Sequence, residues 1–278
     1  EAQHFTHQVF DHTKVLSPVT KASFTVTAGA VEIVVEKALA IALEGRPGPV
    51  HLDLPISVAN ASENWNHPVH RSTPAPMAPA PGPDWDAACR ALSSAERPLI
   101  IAGVDVLHHH AANAVADLAR KFSIPILTTY KAKGILPEDD PLALGGHGLS
   151  PRAFSIIKPL VDQADAIVLV GYDPIEMRSE WSNPWNISED GPAVIEFSAE
   201  ANRHFMHYAS YSFIGHVGAG IRALTEKVSR DGSWPDGEPA ATRAALKNAF
   251  PRDEEWGPAA VIDVCRNVLP RETLAAVD

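Results

Sequence analysis

Four short apolar runs in the middle of the chain end in residues able to hold an anionic ligand. Those ends are Gly103-Val-Asp105, Thr128-Thr-Tyr-Lys-Ala-Lys-Gly134, Gly171-Tyr-Asp-Pro-Ile-Glu176 and Ser198. Glycine lets a backbone approach a ligand closely. Lys131 and Lys133 offer charge to a phosphate, and Glu176 or Glu196 an acceptor to a ribose hydroxyl. Together Gly103, Thr128, Lys131, Lys133, Gly171, Glu176 and Ser198 describe a nucleotide or cofactor groove. Taken singly, each glycine also suits a tight turn and each lysine a solvated surface, so both readings stand.

Other clusters carry less. Gly215-His-Val-Gly218-Ala-Gly220 follows a strand and opens a helix, but its G-x-x-G-x-G order is not the dinucleotide fingerprint, so helix-entry packing is expected. Consecutive residues at a helix start point in different directions, so His108-His-His110 reads as a solvated loop rather than a metal tract. Glu138-Asp139-Asp140, just before Pro141, reads as a solvated turn rather than an acid–base pair. No G-x-S-x-G, phosphate-binding P-loop or zinc spacing occurs.

The elements that position these residues alternate in type. Helices are expected over 84–95 (Asp84 as N-cap), 109–122, 151–163 and 219–228, and strands over 99–103, 124–129, 166–171, 193–198 and 211–214. Ala166-Ile-Val-Leu-Val170 is apolar throughout, as in a strand covered on both faces. Strand–helix alternation predicts an α/β fold with a doubly wound parallel sheet over 84–228. Ligands of such sheets bind beyond the carboxyl ends of the strands. Pro74, Pro76, Pro79, Pro81 and Pro83 make 72–83 a semi-rigid linker. Residues 229–256, polar and rich in Gly and Pro, read as a second linker with a short helix over 242–249. A helix over 257–269 and the start of a strand over 273–277 follow.

The 278 residues carry a net charge of -11, which disfavours nucleic acid and anionic membrane surfaces as partners. Cys89 and Cys265 are the only cysteines, so no disulfide framework exists and a cytoplasmic location is expected. Glu1 is not a start methionine and the last residues read as an interrupted strand, so a piece of a longer polypeptide is expected.

The most specific string lies earlier. A helix over 31–43 is broken by Gly45-Arg-Pro-Gly-Pro, followed by the strand-like Val50-His-Leu-Asp-Leu54 and Pro55. With Pro18-Val-Thr-Lys21 ahead of it, this string resembles the end of the first domain of thiamine-diphosphate enzymes of the acetolactate synthase type. Arg97-Pro-Leu-Ile-Ile-Ala-Gly103, Ile124-Pro-Ile-Leu-Thr-Thr129, Lys133-Gly-Ile-Leu-Pro-Glu138, Leu142-Ala-Leu-Gly-Gly146 and Ala164-Asp-Ala-Ile-Val-Leu-Val-Gly171 then resemble their central domain, in order. From Trp256 onward the chain resembles the opening of their third.

The resemblance implies a Rossmann-like central domain with partial flanking α/β domains. Residues 1–71 would end the pyrimidine-binding domain, and 257–278 would open the diphosphate-binding one. It implies 2-keto acid decarboxylation with carboligation, thiamine diphosphate and Mg2+ as cofactors, and a homodimer or homotetramer. The family's activating glutamate and its Gly-Asp-Gly…Asn motif have no counterpart here, so no catalytic residue is expected in these residues and they alone should be inactive. Gln8 and Lys21 align with positions near the substrate channel. FAD, held by some members, is put in doubt by Gly171-Tyr-Asp-Pro-Ile-Glu-Met-Arg178, which departs from the flavin-binding pattern, and by His216 in place of an aspartate. A stand-alone nucleotide-binding or regulatory module without thiamine chemistry is the alternative.

Overall fold

The computed structural model describes residues 9–62, 75–177, 183–270 and 273. Gln8 and all but Thr273 of the strand expected over 273–277 lie outside them. In the first segment α1 (His12–Leu16) precedes β1 (Ser23–Thr25), which pairs in parallel with β2 (His51–Asp53). Between the strands runs α2 (Val31–Leu43), ended by Gly45 at φ 59, a left-handed angle that glycine takes without steric cost. Pro55 stops β2 and opens the single-turn α3 (Ile56–Ala59).

The central unit begins with α4 (Pro83–Ser94). Here Asp84 is not the N-cap. Gly82 holds that place in an extended conformation and Pro83 takes the first turn, where its missing N–H costs nothing. Asp84 and Asp86 lie within the first turn, at the positive end of the helix dipole. The chain continues through β3 (Pro98–Ala102), α5 (Asp105–His108), α6 (Ala112–Lys121), β4 (Ile126–Thr129), β5 (Ala143–His147), α7 (Pro151–Gln163) and β6 (Ala166–Val170). It closes with β7 (Ala193–Ser198), β8 (Tyr211–Ile214), α8 (Val217–Lys227), α9 (Glu238–Ala249) and α10 (Pro258–Val268).

Of the helix expected over 109–122 only α6 forms; His110, at φ 49, separates it from the short α5 ahead of that range. α5 starts at the buried Asp105. Strands β1 and β5 were not foreseen. Both are short and carry serine, threonine or glycine in place of an apolar run.

Six strands form one parallel sheet in the order β5-β4-β3-β6-β7-β8. The chain starts at the centre, winds outward through β4 and β5, then returns beside β3 and winds the other way. The direction reverses between β3 and β6, the place where such sheets form a crevice. Alternate residues of each strand feed opposite cores. Ile100, Ala102, Val168 and Val170 meet α4, α6 and α8; Leu99, Ile101, Ile167 and Leu169 meet α7 and its surroundings. Both faces are covered, which explains the unbroken apolar run of β6.

Residues 229–256 do more than connect. Trp234 is buried and its indole N–H donates to the Pro98 carbonyl at 2.7 Å, while Leu246 of α9 packs on the same core as α7. α9 starts at Glu238 rather than Thr242: Gly237, at φ 70, is its N-cap and Pro239 sits in the first turn, while the Glu238 carboxylate accepts from Asp236 N and from Arg97 Nε. At the start of α7, Ser150 Oγ accepts from Ala153 N at 3.2 Å. Ser150→Ala is expected to cost about 1 kcal/mol, read from urea denaturation.

Candidate functional site

The carboxyl ends of β3 and β6 meet face to face. A Cβ on Gly103 would lie 2.3 Å from the Gly171 carbonyl oxygen and 2.6 Å from Tyr172 Cα. Gly171, at φ 57, in turn abuts Asp105 and Val106. Gly103 N donates to Val170 O, Asp105 N to Gly171 O, and Gly171 N to Phe197 O. The close approach that these glycines permit is to each other.

The remaining residues predicted for the groove lie along the same edge, each with a partner inside the protein. Thr128 Oγ1 donates to Gly145 O at 3.3 Å. Glu176 is buried; its Oε2 accepts from Thr129 Oγ1 at 2.7 Å, and Lys131 Nζ stands 3.4 Å from Oε1. Lys133 Nζ pairs with Glu138 at 3.0 Å, so Glu138 is an ion-pair partner and not only a solvated turn residue. Asp140 likewise holds Arg120. Ser198 Oγ donates to Glu200 O at 2.8 Å. Thr128, Lys133 and Glu138 line one shallow depression, and the two lysines do not converge on an anion cradle. Glu196 sits away from the edge, buried with His207 and Ser212.

Lys21 ties down the Gly-Arg-Pro turn: its Nζ donates to the carbonyls of Glu44 and, at 3.1 Å, Arg46. That turn reaches the head of the central sheet. Arg46 Nη1 donates to Asp173 at 3.0 Å, Nη2 to Asp105 at 3.2 Å, and the Arg46 backbone N–H to Glu200 at 3.1 Å. Asp105 is only 1% exposed, and its other oxygen lies 3.0 Å from His108 Nδ1. Burial opposes charge on the guanidinium, but the hydrogen bond and charge of Asp105, with Asp173 and Glu200, outweigh it and make Arg46 more basic than usual.

The three histidines do point apart, yet His109 is no solvated loop residue. Its Nδ1 accepts from Val217 N at 3.1 Å, and its ring stacks on that of His216 at 4.8 Å. His216 Nδ1 caps α8 by accepting from Ala219 N. Burial first, then the neighbouring His216, lowers the pKa of His109; the Asp105 charge and a hydrogen bond with the Gly45 backbone oppose them. A proton on Nδ1 would end the bond from Val217.

Because the folded pKa lies below the unfolded one, this contribution is present above about pH 6.5, the ordinary histidine value, and is lost as pH falls through the folded pKa. His147, neutralised by burial, acts in the same sense. Thermal melting between pH 7 and 5 should show this loss, and His109→Gln should flatten the curve.

Arg46, Asp173, Glu200 and His109 escaped the sequence reading as site residues. The arginine stood inside the quoted Gly-Arg-Pro string, and an aspartate two residues after glycine at both β3 and β6 was the available signal.

Residues 85–224, half of the chain, match the family model described as thiamine pyrophosphate enzyme, central domain. The chain belongs to the thiamine pyrophosphate enzyme family. It is 31% identical over 188 residues to acetolactate synthase of Bacillus subtilis (strain 168), covering 66% of this chain and 32% of that protein. It is 33% identical over 143 residues to glyoxylate carboligase of Escherichia coli O157:H7, covering 51% of this chain and 24% of that one. The chain thus spans a third or less of the length of these relatives. A crystal structure from Mycobacterium smegmatis, described as a thiamin diphosphate-dependent enzyme, superposes with a TM-score of 0.69 at 23% identity, over 94% of this chain and 49% of that one. It shares the fold. For a thiamine pyrophosphate enzyme the six-stranded parallel sheet is thus the expected central domain, and the family implies thiamine diphosphate as cofactor.

Proposed function

We propose that the chain is part of an enzyme that decarboxylates a 2-keto acid and joins the remaining fragment to a second carbonyl compound. The observation that carries this reading is the family match over 85–224, together with relatives named acetolactate synthase and glyoxylate carboligase. In the proposed division, 1–71 ends the pyrimidine-binding domain and 72–83 is a linker. Residues 84–228 are the central domain, 229–256 a second linker, and 257–278 the opening of the diphosphate-binding domain. Thiamine diphosphate with Mg2+, a homodimer or homotetramer, and a cytoplasmic location complete the proposal. No helix among the described residues is long and apolar enough to cross a membrane.

Bound thiamine diphosphate supplies the electron sink for losing carbon dioxide. Among the described residues no cluster of His, Cys, Asp or Glu is placed to hold a metal ion, and the edge lysines are taken by Glu176 and Glu138. These residues do not fit a metal–diphosphate site, so no step is assigned to them. Arg46, Asp105, Asp173 and Glu200 have an architectural part: they hold the Lys21 turn against the head of the central sheet. The test is product analysis with carbon-13 pyruvate and the full-length protein. A branched 2-hydroxy-3-keto acid is expected; aldehyde alone would restrict the reaction to decarboxylation and refute carboligation.

A further inference from the structure

The reversal point between β3 and β6 is where a doubly wound sheet ordinarily receives a dinucleotide, whose diphosphate seeks backbone N–H groups and positive charge. In this protein that place offers the opposite chemistry. Asp105 and Asp173 stand at the two strand ends and Glu200 beside them, while the N–H groups of Gly103, Asp105 and Gly171 are spent on neighbouring carbonyls. Among the described residues, the guanidinium that stands between Asp105 and Asp173 comes from the chain itself. The guanidinium of Arg46 spans Asp105 and Asp173, and the backbone N–H of the same residue reaches Glu200. A Cβ on Gly45 would meet Glu200 Oε1 at 2.8 Å, so the turn is seated against that side chain. Arg46 Nε is buried and makes no hydrogen bond among the described residues.

We propose that this crevice is a receptor for the chain's own Arg46. It forms an ionic latch that holds the α2–β2 segment on the central sheet and closes the reversal point to dinucleotides. A planar guanidinium spans two carboxylates where an ammonium, a point charge, satisfies one at a time. The inference does not depend on the thiamine chemistry proposed above.

Hydrogen exchange of the full chain tests it. Arg46→Ala should speed exchange of amides in 31–53 by about tenfold, the size expected for a partly exposed charged hydrogen-bond pair. Arg46→Lys should retain only part of the protection. ADP and FAD should leave exchange at 103–106 and 171–176 of the unmodified protein unchanged. If Arg46→Ala fails to fold, Asp173→Asn, at the rim of the crevice, loosens the same latch. Unchanged exchange in 31–53 for whichever variant is measured would overturn the latch. Protection of the two strand ends by ADP or FAD would overturn the closed crevice.

Discussion

Gly103→Ala is expected to destabilise the protein by about 3 kcal/mol, the upper end for forced overpacking. The added methyl would lie 2.3 Å from a carbonyl oxygen and 2.6 Å from a Cα, and neither belongs to a side chain that can swing away. Relief would require parting β3 from β6, whose ends are joined by Gly103 N to Val170 O and Asp105 N to Gly171 O. Gly134→Ala supplies the contrast. Gly134 has φ 94 but nothing lies within 4 Å of where a methyl group would stand, so only backbone strain of about 1–2 kcal/mol is expected. Guanidinium denaturation of both variants separates steric exclusion from conformational preference. Equal losses would mean that the β3–β6 contact yields more easily than its backbone geometry implies.

Glu196→Ala should cost about 1–3 kcal/mol, because it leaves the buried His207 ring and the Ser212 hydroxyl without their acceptor. Glu196 and His207 are each 2% exposed, with Nε2 and Oε1 2.6 Å apart, and Ser212 Oγ donates to the second carboxylate oxygen at 2.8 Å. Burial alone would raise the carboxyl pKa. The hydrogen bond and charge of His207, then the Ser212 hydroxyl, overcome it and hold Glu196 below its usual value. A carboxyl with a depressed folded pKa stabilises the protein above its unfolded pKa, and the gain is lost as pH falls through the folded value. Glu196→Gln keeps both hydrogen-bond sites nearly in place, so it should cost less than Glu196→Ala and should remove the acid-dependent part. Denaturation at pH 7 and at pH 4 gives both quantities.

What could be read without coordinates follows from the range of the forces involved. The apolar run 166–170 and the helix over 151–163 were legible because local pattern and burial agree. β1 was not: Ser23-Phe-Thr25 is a strand only because His51-Leu-Asp53 lies beside it. The glycines closing β3 and β6 were recognised as points of close approach, and in the fold each packs against the end of the other strand. Their mutual contact depends on β3 and β6 being neighbours, a property of strand order. Arg46 illustrates the same limit. Its carboxylate partners lie 59 and 127 residues further along, and only the winding of the sheet brings Asp105 and Asp173 to one guanidinium. The lysines and Glu176 had the right chemical types for a nucleotide groove. Their pairing inside the protein became visible only with the fold.

The most direct test of the thiamine assignment is carbon dioxide release from pyruvate by the full-length protein, stripped of cofactors and reconstituted singly. Thiamine diphosphate with Mg2+ should restore turnover saturably, and added FAD should change nothing. Turnover that is indifferent to thiamine diphosphate, or that returns with FAD alone, would contradict it.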